Sequence, residues 1–119
     1  METEAKLFIQ QQILLGKYEL VWSYILEFEN NQNPYSDRRY SIKVWEKIAT
    51  VFCSENEDIL TAAEKLCTAG IKIKDALHIA CAAYTQADYF ITTDKRLLNA
   101  KVTEIKIVNP LTFIDTLDS

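Results

Sequence analysis

The chain has 119 residues, 49% of them hydrophobic and 25% charged, which is enough chain for one domain and one core and is not the composition of a disordered segment. A net charge of −4 excludes a basic surface built for non-specific nucleic-acid binding, so any contact with nucleic acid has to be local or metal-mediated. The longest uncharged stretch, Ala76 to Ala87, has 12 residues, too few to span a bilayer, and the acidic opening Met1-Glu2-Thr3-Glu4 is not a cleavable signal.

Residues 2–15 read as a helix, with Ala5, Phe8, Ile9 and Ile13 at helical spacing and Gly16 as a stop. Residues 18–22 are rich in β-formers and read as a strand. Ser23 then caps a helix through Asn30. Asn31 to Pro34 form a loop, and Ser36 or Asp37 opens a helix through about Thr50. Val51-Phe52-Cys53 is a short strand, and Asp58 to Ala69 a helix stopped by Gly70. Lys74 to Gln86 is a helix that is apolar nearly all round, which predicts burial. Tyr89-Phe90-Ile91 is a strand ending in Thr92-Thr93-Asp94. A short helix at Lys95 to Asn99, a strand at Ile105 to Val108 and a helix opened by Pro110 complete the chain. The cysteines Cys53, Cys67 and Cys81 are widely spaced and make neither a disulfide framework nor a zinc pattern; they read as reduced thiols of a cytoplasmic protein.

Strands alternate with helices throughout residues 1–119, which predicts a single α/β domain with a mostly parallel sheet covered by helices on both faces. Ligands of such sheets bind at the carboxyl ends of the strands. Three acids are expected there. Asp94 follows the Tyr89–Ile91 strand and reads equally as a site acid or as the cap of the next helix. Asp75 opens the long apolar helix, where the helix dipole favours a carboxylate, and it reads as a site acid or an ordinary first-turn acid. Glu27 and Glu29 follow the first strand and, being two apart, point to different faces. Carboxylates gathered at one sheet edge suit Mg²⁺, which takes oxygen ligands, and metal-assisted attack of water on a phosphodiester. His78, one turn after Asp75, reads as a core histidine with one hydrogen bond or as a neighbour of the site. Arg38-Arg39 and Lys95-Arg96 read as solvated charges or as contacts to phosphates.

The stretch Gly70-Ile71-Lys72-Ile73-Lys74-Asp75-Ala76-Leu77-His78-Ile79-Ala80-Cys81-Ala82, then Ala87 to Leu98 with its Thr92-Thr93-Asp94, and the ending Ile105 to Ile114 resemble the carboxyl half of PIN domains. Leu20 to Glu29 is similar to the family's second-strand region. The resemblance implies a three-layer α/β/α fold and a ribonuclease that uses Mg²⁺ or Mn²⁺, often the toxin of a toxin–antitoxin pair with an antitoxin protein as partner. By the same resemblance Glu29, Asp75 and Asp94 would be the catalytic and metal-binding acids, with Glu29 fitting the glutamate position better than Glu27. Thr93, Lys95 and Arg96 would be substrate-binding. The resemblance also implies a first strand bearing an aspartate ahead of the opening helix. No such strand precedes Glu2, so impaired catalysis, or an inactive or protein-binding remnant of the fold, is expected. The expected consequence is a gap in the middle of the sheet, filled by pairing of the strands on either side or by self-association, with a homodimer as the favoured outcome.

Overall fold

The computed structural model describes residues 2–117. In chain order the elements are α1 (Glu2–Leu14), β1 (Val21–Ser23), α2 (Tyr24–Asn31), α3 (Ser36–Lys43) with a 3₁₀ turn at Val44–Lys47, β2 (Val51–Cys53), α4 (Glu57–Thr68), α5 (Ile73–Tyr84), β3 (Tyr89–Ile91), α6 (Lys95–Leu98), β4 (Lys106–Val108) and α7 (Pro110–Leu117). This is the α/β alternation that the sequence predicts.

Local chemistry sets the boundaries. Gly16 (φ 77°) closes α1, with its N–H on Ile13 O at 3.0 Å and that of Lys17 on Gln12 O at 2.9 Å. These two bonds satisfy carbonyls that the last helical turn leaves free. Gly70 (φ 95°) closes α4 in the same way, through Cys67 and Leu66. At the end of α5 the left-handed position is held by Gln86 (φ 62°), without a glycine's freedom. Ser23 Oγ accepts from Leu26 N at 3.2 Å and opens α2, and Asn56 Oδ1 does the same for α4 through Ile59 N at 3.0 Å. The helix expected through about Thr50 ends instead at Lys43. It tightens into the 3₁₀ turn, where Ile48 N–H bonds Trp45 O at 3.1 Å, a common way to satisfy terminal carbonyls.

The core is built around α5, whose Ala76, Ile79, Ala80, Cys81 and Ala82 are buried. It packs against Ile59, Ala63 and Leu66 of α4, with Ile25, Cys53, Leu97 and Ile105 closing the cluster. Ile59 and Ile79 are fully buried, each worth about 1.5–3 kcal/mol of transfer free energy.

The sheet is split. β1 pairs β2 in parallel with Val21 opposite Val51 and Ser23 opposite Cys53, and β3 pairs β4 in parallel with Tyr89 opposite Lys106 and Ile91 opposite Val108. Among the described residues these are two separate two-stranded sheets; β1 and β3 do not pair with each other. This also explains why the first strand is shorter than Tyr18–Trp22. Its bonding to the β2 side begins at Leu20 O, which accepts from Thr50 N and Val51 N at 3.1 and 3.3 Å. Earlier residues have no strand alongside. Helix α5 touches both β1 and β3, and α1 packs on α7. Phe113 of α7 makes edge contacts with Tyr18 (centroids 5.5 Å apart) and Tyr89 (5.1 Å). Phe113 thus bridges Tyr18, three residues ahead of β1, and Tyr89, the first residue of β3.

Candidate active site

The acids that the sequence singles out lie on α2 (Glu29), in the first turn of α5 (Asp75) and just after β3 (Asp94). Glu29 lies on the second turn of α2. Its Oε1 meets Nε2 of His78 on α5. His78 is half-buried and stands one turn after Asp75, in the first turn of α5 and also half-buried. The helix backbone thus holds Asp75 on the part of α5 that Glu29 reaches. The sequence favours a core histidine here; the side chain is instead 23% exposed and lies against Glu29, the place that its spacing from Asp75 also allows.

Asp94 sits three residues past β3, exposed. Its Oδ1 accepts from Arg96 N at 2.9 Å and its own N–H bonds Thr92 Oγ1 at 3.1 Å. The capping role is therefore real, and it engages one oxygen. Thr93, Lys95 and Arg96 are exposed beside it.

Glu27 and Glu29 part company as their spacing requires. Glu27 Oε2 accepts from Trp22 Nε1 at 3.0 Å, and Oε1 pairs with Lys43 Nζ. The bond from Lys43 holds the Glu27 carboxyl below its ordinary value, and the same bond holds the Lys43 ammonium above its own. Lys43 also reaches Glu46 at 3.0 Å. Glu27 therefore ties β1, α2 and α3 together, while Glu29 faces α5. Lys43 is 16 residues from Glu27, and no sequence periodicity announces a pair at that separation. The strand-to-helix step that places Trp22 next to Glu27 is the one local signal.

The arginines are used locally. Arg38 lies over the Tyr35 ring at 5.5 Å, and Arg39 Nη1 donates to Asn33 O at 2.8 Å. Burial raises the Tyr24 phenol above its ordinary value, and its hydroxyl is buried with no partner.

The sequence pattern of the PIN domain matches residues 12–102. The chain belongs to the PIN domain family. No curated protein and no solved structure matches it. Membership accounts for the α/β architecture and makes nuclease-type chemistry the general function of this fold, with divalent metal as the usual requirement of PIN domains and RNA as their usual substrate. The donors in this PIN domain have the chemistry that a hard divalent ion takes, carboxylate oxygen. Their arrangement does not make a finished site. Among the described residues, no three His, Cys, Asp or Glu side chains are gathered where one ion would be shared. Glu29 is engaged by His78, and one Asp94 oxygen by the α6 cap. No helix among the described residues is long and apolar enough to cross a membrane.

Proposed function

We propose that this PIN domain is a nuclease module that acts on RNA phosphodiesters with Mg²⁺ or Mn²⁺, through Glu29, Asp75 and Asp94, and that residues 1–119 by themselves are a weak catalyst. The observation that carries the reading is the Glu29–His78 contact. It joins the helix after β1 to α5 at His78, three residues after Asp75. Asp94, three residues after β3 in the other half-sheet, is the third acid. Thr93, Lys95 and Arg96 are the exposed groups beside it for a phosphate. The weakness follows from the engaged oxygens and the ungathered donors, since Mg²⁺ demands near-ideal octahedral geometry. The chemistry fits a cytoplasmic toxin held by an antitoxin protein, a setting that the family resemblance suggests. A second reading is a catalytically inactive PIN-fold binding module, favoured by the structural use of Asp94 as a cap and of Glu29 as a partner of His78.

The test is cleavage of a labelled single-stranded RNA by the purified chain with Mg²⁺ or Mn²⁺. The expected result is slow cleavage, stopped by EDTA and lost in Asp75→Asn and Asp94→Asn. Cleavage indifferent to EDTA and to both substitutions would overturn the metal assignment. No cleavage with either ion, at any protein concentration, selects the inactive module.

A further inference from the structure

Helix α1 is apolar on two opposite sides. It packs on α7 and buries Ala5 and Ile9, one turn apart. Two residues further on is about 200° round a helix, so Leu7 and Gln11 lie away from that buried side, and Leu14 continues their line. Phe8 and Leu15 stand next to Leu7 and Leu14. The N–H of Leu15 bonds Gln11 O at 3.0 Å, which keeps Leu15 in the helical path. Leu7 is 59% exposed, Phe8 42%, Leu14 60% and Leu15 64%. Helices of globular proteins keep their outer side polar, and an apolar stripe there marks a contact surface.

The order of residues on this stripe says what covers it. Leu7-Phe8-Ile9-Gln10-Gln11-Gln12-Ile13-Leu14-Leu15 reads the same, by side-chain class, in both directions from Gln11. Such a stripe complements itself when two copies lie antiparallel about a two-fold axis through Gln11. Leu7 then meets Leu15 of the second copy, Phe8 meets its Leu14, and the two Gln11 amides, each donor and acceptor, face one another.

Charge selects the antiparallel arrangement. Glu2 and Glu4 occupy the first turn of α1, while no acid stands in its last turn and the exposed Lys17 follows it. Antiparallel copies bring Glu4 toward Lys17 of the second copy, whereas parallel copies would set acid against acid. Lys6 is about 100° round from Leu7 and lies on the flank. Glu19, the next acid after Lys17, is held by Thr50 Oγ1 at 3.3 Å.

We propose that the outer face of α1 is a self-association surface, on which a second copy of this chain packs its own α1 antiparallel, Leu7 and Phe8 against Leu15 and Leu14. A helix of 13 residues is only about 20 Å long, so the interface is at the small end of specific ones and the association is weak and reversible. The surface is remote from the pairing edges of the strands, and the inference is independent of the nuclease reading.

The test is sedimentation velocity on the full chain, from about 5 to 500 micromolar at low salt. The expected result is a monomer–dimer equilibrium. Leu14→Glu should weaken it at least tenfold, with an unchanged urea midpoint because the side chain is exposed. Glu4→Lys and Lys17→Glu should each weaken it at least threefold, and the double variant Glu4→Lys/Lys17→Glu should return to within twofold of the parent. Three results would overturn the proposal. A monomer at every concentration leaves the face to a different protein. A dimer that survives Leu14→Glu is built elsewhere on the chain. A double variant no tighter than the single ones refutes the antiparallel register, even where Leu14→Glu proves unstable.

Discussion

Glu29 on α2 meets His78 on α5 across 49 residues of sequence, and the contact joins the helix that follows β1 to the acid-bearing half of α5. It occupies one carboxylate oxygen of Glu29, the proposed ligand. Replacing His78 with alanine removes one hydrogen bond to a charged group, worth about 1.5–3 kcal/mol at most for a half-buried pair, and frees Glu29. The expected outcome is a modest loss of stability in urea denaturation together with tighter Mn²⁺ binding by calorimetry. Unchanged Mn²⁺ binding would show that Glu29 is not a ligand.

Asp94 has two assignments that substitution separates. Asp94→Asn keeps a good capping oxygen and should leave stability within about 0.5 kcal/mol, while Asp94→Ala removes the cap of α6 and should cost about 0.5–2 kcal/mol. Both should lose metal-dependent RNA cleavage if the carboxylate charge is used. Cleavage retained in Asp94→Asn and lost only in step with unfolding would leave the cap as its whole role.

Glu27 holds the indole of Trp22, a residue only 5% exposed. Glu27→Ala leaves that N–H without its acceptor, at a cost of about 1–3 kcal/mol. The pH dependence has a definite sign. The folded carboxyl lies below its ordinary value of 4.5, chiefly through Lys43. Its contribution is complete above 4.5 and disappears as pH falls through the depressed folded value. The stability gap between the parent and Glu27→Gln should therefore be present at pH 7 and shrink on acidification below 4.5, which chemical denaturation at several pH values will show.

The Cys81 thiol is pushed up to about 12 by burial and then by its hydrogen bond with Cys53. It stays neutral in the folded chain while the unfolded chain ionises near 9.0. Its contribution is thus complete below 9.0 and lost as pH rises toward 12. Thiol labelling at pH 8 should be fast at half-buried Cys67 and slow at Cys81 in the native protein. Equal labelling rates at the two would show that the core around α5 opens freely.

Gln86 occupies a left-handed backbone position at the end of α5, which costs an L-residue roughly 1–2 kcal/mol. Gln86→Gly removes that strain and loses part of the gain to the greater freedom of the unfolded glycine. A net stabilisation of about 0.5–1 kcal/mol is expected, read as a rise in the urea midpoint at constant slope.

The sequence by itself determined what depends on neighbours along the chain. Gly16 and Gly70 stop helices because the left-handed turn they permit is local. Ser23 starts α2 because its hydroxyl reaches an N–H three residues on. The apolar run from Ala76 to Ala82 forms a buried helix because no face of it prefers water. Tyr89–Ile91 is a strand for the same kind of reason, and the acids at its end and at the start of α5 could be named from position alone. Gln86 escaped because a glutamine in the left-handed region is a tertiary concession with no sequence signal.

Only the tertiary structure decided how those pieces use one another. It sent Glu29 to His78 and Glu27 to Trp22 and Lys43, because the choice depends on which way α2 rolls against α5 and α3. It gave one Asp94 oxygen to the α6 cap. It also left β1 and β3 apart: strand pairing is a long-range bond between segments, and a chain cannot announce along its length which edges will find a partner and which will not.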